Sequence, residues 1–168
     1  MLKTKRLALV GFDVKYANDF FELWSDFELV KYTFTPLVNT IDECINLIEH
    51  QINRTDKDFI DRFVILLNNK AIGMVGCICM DKANFVYGLY YQISRVYWGC
   101  GYASEAASAI MNYVLNEYPN AIFKAEAVSE NPASVAVLMK IGLKLTHVEE
   151  NGFKRNNFVL DLIHYSNA

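Results

Sequence analysis

Within the stretch Val96–Leu115, two glycines, Gly99 and Gly101, stand in a short loop that opens directly into an alanine-rich helical pattern. Ala103, Ala106, Ala107, Ile110, Met111, Val114 and Leu115 recur at spacings of three and four, which marks one apolar helix face. A glycine turn feeding a helix start leaves several backbone N–H groups without partners and adds the positive end of the helix dipole. The chemistry on offer is anion binding, best matched to a phosphate or pyrophosphate. Other reactive residue types are dispersed. His50, His147 and His164 are scattered, so a Ser-His-Asp or Cys-His grouping has no local support. Cys77 and Cys79 share one side of a strand-like run, with Cys44 and Cys100 elsewhere. No His or Cys stands at ligand spacing, so the four read as structural or free thiols and no metal is expected.

The elements that must position this loop follow from pattern. Leu7–Phe12 reads as a strand. Asp13 can cap a helix running to about Ser25, with Ala17, Phe20, Phe21 and Trp24 on one face. A polar and aromatic connection from Asp26 to Asn39 carries a short helical turn before Tyr32. Thr40 and Glu43 form a capping box ahead of a second helix, whose apolar positions are Ile41, Cys44, Ile45, Ile48 and Ile52. From Arg62 the pattern changes. Phe63–Leu67, Ala71–Met80 and Phe85–Ile93 are strands joined by turns at Asn68-Asn69-Lys70 and Asp81–Asn84, an antiparallel meander. Glycines in the middle strand predict a bulge or a close backbone approach. After the glycine loop and its helix, Ala121–Val128 is a further strand. Asn131 and Pro132 then start a helix as N-cap and first helical residue, and Gly142 ends it. Leu143–Glu150 and Phe153–Ile163 are two strands, with Asn151-Gly152 predicted as their hairpin turn. Residues 1–168 therefore read as a single α/β (α+β) domain on a mixed, mostly antiparallel sheet of about seven strands with about four helices.

Composition narrows the function. The chain has 168 residues, 53% of them hydrophobic, enough for a sizeable core and against disorder. Its formal charge of −3 disfavours nucleic acid as a partner and is compatible with a cationic acceptor such as an amine. No apolar run reaches the roughly 18–20 residues that span a bilayer. The N-terminus lacks a signal-peptide pattern, so the expected location is cytoplasmic, with no membrane association. Monomer and dimer are both compatible with the sequence.

Three phosphate-site patterns compete for the loop. A Walker loop needs G-x-x-x-x-G-K-(S/T), and no such string occurs. A dinucleotide fold wants G-x-G-x-x-G between alternating strands and helices, but Ser104 stands at the third glycine and the preceding strands form a meander. The third pattern fits motif and order. VYWGCGYASEA resembles the acetyl-CoA motif of the GNAT N-acetyltransferase superfamily, (Q/R)-x-x-G-x-(G/A), and ENPASVAVLMKIGLKL (Glu130–Leu145) resembles its second signature, N-x-x-S followed by K-x-G-(F/L). The branch that acetylates protein N-terminal amines, including the ribosomal-protein alanine acetyltransferases of Rim type, is especially similar. Thr4-Lys5-Arg6-Leu7-Ala8-Leu9 matches its T-x-R-L-x-L opening, and Leu23–Asp26 its L-W-S-D.

The resemblance implies acetyl-CoA as co-substrate and direct transfer to an amine in a ternary complex. Tyr91, Gln92 and Ile93 would pair with the pantetheine arm on a strand splayed from its neighbour. The backbone of Trp98, Gly99, Cys100, Gly101, Tyr102, Ala103 and Ser104 would hold the pyrophosphate. Asn131 and Ser134 would touch the pantetheine and sulfur region, and Lys140 a CoA phosphate. The sequence departs at Val96, where Gln or Arg is usual, and at Leu143, a common Phe. Leu138 occupies the place of a tyrosine that protonates the departing thiolate. Ser134 is the alternative proton donor. Many relatives carry a glutamate on the strand Phe85–Ile93, which here has no carboxylate. Glu126 on the next strand is the remaining candidate base, a salt bridge being its plainer role. Trp24, Phe27, Tyr32 and Phe34, with Tyr87 and Tyr90, are candidates for the acceptor cleft or for core. Glu105 reads as a first-turn charge and Cys100 as a loop thiol. The acceptor is expected to be a primary amine, with a protein N-terminus favoured. A small-molecule amine (a polyamine or aminoglycoside) is the alternative, as is a non-catalytic acyl-CoA-binding module.

Overall fold

The computed structural model describes residues 1–53, 59–155 and 157–168. Along them run β1 (Leu2–Lys3), β2 (Ala8–Val10), a 3₁₀ turn, α1 (Ala17–Trp24), α2 (Phe27–Val30), α3 (Ile41–Asn53), β3 (Phe59–Leu67), β4 (Lys70–Asp81), β5 (Val86–Ile93), a second 3₁₀ turn, α4 (Tyr102–Glu117), β6 (Ile122–Val128), α5 (Pro132–Lys140), β7 (Lys144–Arg155) and β8 (Phe158–Ser166). Among the described residues eight strands form one sheet in the order β1-β2-β3-β4-β5-β6-β8-β7. All neighbours are antiparallel except β5 and β6. The mixed, mostly antiparallel α/β sheet is as expected.

Local chemistry explains most boundaries. Asn68 and Asn69 take φ of 49° and 68°, the left-handed pair of a two-residue hairpin between β3 and β4. Thr40 accepts the Glu43 N–H at 3.2 Å, but the Glu43 carboxylate reaches back to the Asn39 N–H at 2.7 Å, one residue beyond the reciprocal partner of a capping box. Asn131 caps α5 by accepting the Ser134 N–H at 3.1 Å. Gly142 ends it at φ 90°, with the Leu143 N–H donated to the Leu138 carbonyl.

Three expectations change. Asp13 caps the 3₁₀ turn Val14–Tyr16 rather than α1 directly. β1 was too short for any periodicity to reveal and pairs with β2. Asn151-Gly152 does not turn the chain. β7 runs through it, and three residues there bulge opposite Asp161, whose carboxylate accepts the Asn151 N–H at 2.9 Å. A bulge uses the same positive φ as a tight turn, here 52° at Asn151, so Asn-Gly serves either. The β7–β8 turn lies instead between Arg155 and Phe158, where Asn157 has φ 65° and Asn156 is outside the described residues.

Period-two alternation divides the core across the sheet. Val64 and Leu66 of β3 face Phe20, Leu23, Trp24, Cys44 and Ile48 of α1 and α3. Phe63 and Ile65 face the other side, where Ala106, Ala107, Ile110 and Phe123 pack under α4. Phe20 and Phe123 are fully buried, each burial contributing about 2–3 kcal/mol relative to exposure.

Candidate active site

The site begins where two strands part. β5 and β6 pair in parallel from Val86↔Ile122 to Gly88↔Lys124 and no further. β5 continues along β4 to Ile93, and β6 continues along β8 to Val128. β4 follows β5 closely because Gly73 lacks a side chain; a Cβ there would run into the Gln92 carbonyl. The cleft between the diverging strands opens into a cavity of about 1480 Å³ that extends to both faces of the sheet. That exceeds a single drug-sized pocket and accommodates two ligands at once.

On the α4 side the glycine loop rims the cavity. Gly99 and Gly101 have φ of 75° and 80°, a region open to glycine and strained for other residues. Trp98, Gly99, Gly101, Tyr102, Ala103 and Ser104 line the space, whereas Cys100 turns its side chain out to solvent. The Trp98 indole N–H donates to the Ile93 carbonyl at 2.7 Å and ties the loop to the end of β5. Across the cleft, the Tyr91 hydroxyl lies 2.9 Å from Ser134 Oγ at the start of α5. Burial pushes the Tyr91 phenol up to about 12, partly offset by the Ser134 hydrogen bond, so it is neutral near pH 7. Asn131 and Lys140 line the same side, and Leu138 is buried.

On the α1 side stand the acceptor candidates. Trp24 is buried at the cavity wall and donates its indole N–H to Gln92 Oε1 at 3.1 Å. The Gln92 amide in turn donates to Thr35 Oγ1 at 2.7 Å, so this side chain braces the α1-side wall. Tyr32 meets Phe153 and Phe158 edge-on, and Phe34 projects at the rim, 86% exposed, with the Arg155 guanidinium 5.9 Å from its ring centroid. Tyr90 also lines the cavity; Phe27 does not. Tyr87 is a correction. It is buried against Phe123 and Tyr118 on the α4 side and is absent from the cavity wall, because alternation along β5 turns it away from Tyr90.

Glu126 falls on the open face. The pairing of Gly88 with Lys124 puts Lys124 and Glu126 on the same face as Tyr90 and Gln92. Its carboxylate lies 3.3 Å from His164 Nδ1, and His164 Nε2 lies 3.2 Å from Glu149. The His147 ring stacks on His164 at 4.2 Å between centroids. Two of the three histidines thus meet beside the candidate base, because β7–β8 register sets His147 opposite His164. Their sequence separation concealed this; only a correct hairpin register could have revealed it. Among the described residues no group of three or more His, Cys, Asp or Glu is placed to hold a metal ion, and no helix is long and apolar enough to cross a membrane.

The glycine loop at the start of α4, the parted strands β5 and β6 and the aromatic wall on the opposite face line one continuous cleft. The chain belongs to the acetyltransferase (GNAT) domain family, whose model matches residues 6–144. It is an acetyl-CoA-dependent N-acetyltransferase, with an amine as acceptor. An uncharacterized N-acetyltransferase, p20, of Bacillus licheniformis is 24% identical over 168 residues, covering 98% of this chain and 94% of the relative. Two solved structures share the fold. RimL, a ribosomal alpha-N-protein acetyltransferase in complex with coenzyme A, aligns with TM-score 0.84 at 16% identity over 97% of this chain and 94% of its own. The spermidine N-acetyltransferase of Vibrio cholerae in complex with CoA and spermine aligns with TM-score 0.80 at 18% identity over 96% and 94%.

Proposed function

We propose that this chain, as a cytoplasmic enzyme of a single domain, acetylates the α-amine of a peptide or protein N-terminus, in the manner of the Rim-type branch. Glu126 is its base. The observation that carries this reading is the charge of the cavity. Glu126 is the one acidic side chain among the described lining residues, which also include Lys124, Lys140 and Lys154. With Lys140 on the donor side, a polycation would meet Lys124, Lys154 and a single carboxylate side chain. An α-amine with pKa near 7.8 costs about 1 kcal/mol to neutralise at pH 7, against about 4.6 for a lysine-type amine near 10.4. One half-exposed carboxylate held by His164 suffices for the first.

The remaining roles belong to the same reading. The loop from Trp98 to Ser104 holds the pyrophosphate with its backbone. Tyr91, Gln92 and Ile93 present the β5 edge to the pantetheine and to the carbonyl oxygen as it gains charge. Ser134, beside the neutral Tyr91 hydroxyl, returns a proton to the leaving thiolate in place of the tyrosine that Leu138 displaces. A thiol with pKa about 8.5 leaves readily, so this donor contributes modestly. Trp24, Tyr32 and Phe34 flank the acceptor.

The test is CoA release from acetyl-CoA with alanine- and serine-starting peptides, spermidine and an aminoglycoside. Peptides with a free α-amine are expected to turn over, N-terminally blocked copies not. Glu126→Gln should lower kcat by about 100-fold while acetyl-CoA affinity is kept. Faster turnover of spermidine than of any peptide would overturn the acceptor assignment. Tight acetyl-CoA binding with no turnover of any amine would mark a binding module instead.

A further inference from the structure

The N-terminal segment Thr4–Arg6 lies far from the loop in sequence but fastens onto it. The Thr4 hydroxyl donates to Glu105 Oε1 at 2.5 Å, and the Arg6 backbone N–H donates to the same oxygen at 2.8 Å. Arg6 Nε donates to Glu105 Oε2 at 2.7 Å, and Nη1 to the Cys100 carbonyl at 2.9 Å. The guanidinium also lies 4.4 Å from the centroid of the Tyr102 ring. Burial of Glu105 opposes its ionisation, but the Thr4 and Arg6 hydrogen bonds outweigh that and hold its carboxyl below the ordinary range. Glu105 is therefore a fixed anion whose task is to aim Arg6.

What Arg6 is aimed at is the space over Gly101. A Cβ built on Gly101 would lie 3.5 Å from Arg6 Nη2 and 3.6 Å from Lys140 Nζ at the end of α5. The two cations thus bracket one point at the N-terminus of α4. Lys140 has no acidic partner among the described residues, and Arg6 reaches that point with the nitrogen its other contacts leave over. Two like charges held beside a helix N-terminus repel each other until an anion enters between them.

We propose that Arg6 and Lys140 close over Gly101 on a phosphate group of CoA, with Thr4 and Glu105 positioning Arg6 for that contact. The opening of the chain is then part of the donor site, not only an edge strand. This rests on acetyl-CoA as co-substrate and is independent of the acceptor.

Calorimetric titration with acetyl-CoA and with its 3′-dephospho analogue tests it without any acceptor. Arg6→Gln and Lys140→Met are each expected to weaken acetyl-CoA binding by about tenfold, the scale of one lost charge-assisted hydrogen bond. The loss should shrink as salt rises from about 0.05 to about 0.5 M, since screening weakens the wild-type contact most. A loss that disappears with the dephospho analogue assigns the 3′-phosphate; a loss that persists assigns the pyrophosphate. Lys140→Met breaks no ion pair among the described residues, and unliganded melting temperatures check the fold of both variants. Binding within about twofold of wild type for either variant overturns the proposal. So does a loss for Arg6→Gln that is the same at both salt concentrations, which would mark a purely structural tie.

Discussion

At the scale of single residues, chemistry concentrates where side chains from distant segments converge. Glu126 and His164 are the sharpest case. With Glu126 as the proposed base, His164→Leu removes the ring 3.3 Å from its carboxylate and should lower kcat several-fold. Acetyl-CoA affinity should stay unchanged, as measured by calorimetry. A drop in cofactor affinity instead would assign His164 a structural role. Gly101→Val is the complementary experiment on the donor side. At φ 80° a β-branched residue costs about 1–2 kcal/mol in backbone strain, and its side chain would crowd Arg6 and Lys140. Loss of acetyl-CoA binding with a retained circular dichroism spectrum is the expected result. Glu105 carries a pH signature. Its carboxyl is depressed in the folded protein, so its stabilisation is present in full above the ordinary value near 4.5 and is lost as pH falls through the lower folded value. Glu105→Gln should therefore flatten the acid limb of a stability–pH curve below about pH 4.5 and leave its neutral region similarly sloped.

At the scale of elements, the site depends on how closely β4 and β5 run before β5 leaves β6. Gly73→Ala forces a Cβ into the Gln92 carbonyl, at a residue paired on both sides, with Ile65 of β3 and Ile93 of β5, where neither backbone can yield cheaply. Destabilisation above about 2 kcal/mol is expected in urea unfolding, larger than a typical surface change. Asn131→Ala removes the cap of α5 at about 1 kcal/mol and should weaken acetyl-CoA binding as well, because the same helix start carries Ser134. The elements around the loop were legible from sequence because caps, left-handed turns and glycine stops are local. Asn131, Pro132 and Gly142 act within one turn of themselves. Asn151-Gly152 misled for the same reason: its backbone preference is local, but whether that preference serves a turn or a bulge depends on what β8 places opposite.

At the scale of the molecule, ligand and fold are coupled. Acetyl-CoA at about 100 times its Kd adds about 2.7 kcal/mol of stability, which for a chain of this size is roughly 5–10 °C in melting temperature. A thermal shift of that size with acetyl-CoA, and none with free acetate, is the expected outcome. The sequence by itself determined the donor half of this enzyme: the glycine loop, the helix it caps, the second helix start, and through them the family. Those features are set by backbone geometry that nearby residues dictate. Only the tertiary structure decided which face holds Glu126, that Tyr87 is core while Tyr90 lines the cleft, that His147 meets His164, and that Thr4 and Arg6 grip Glu105. Each of these depends on strand register or on contacts between segments up to a hundred residues apart. A one-residue change of register reverses a strand's faces, and no local preference encodes it.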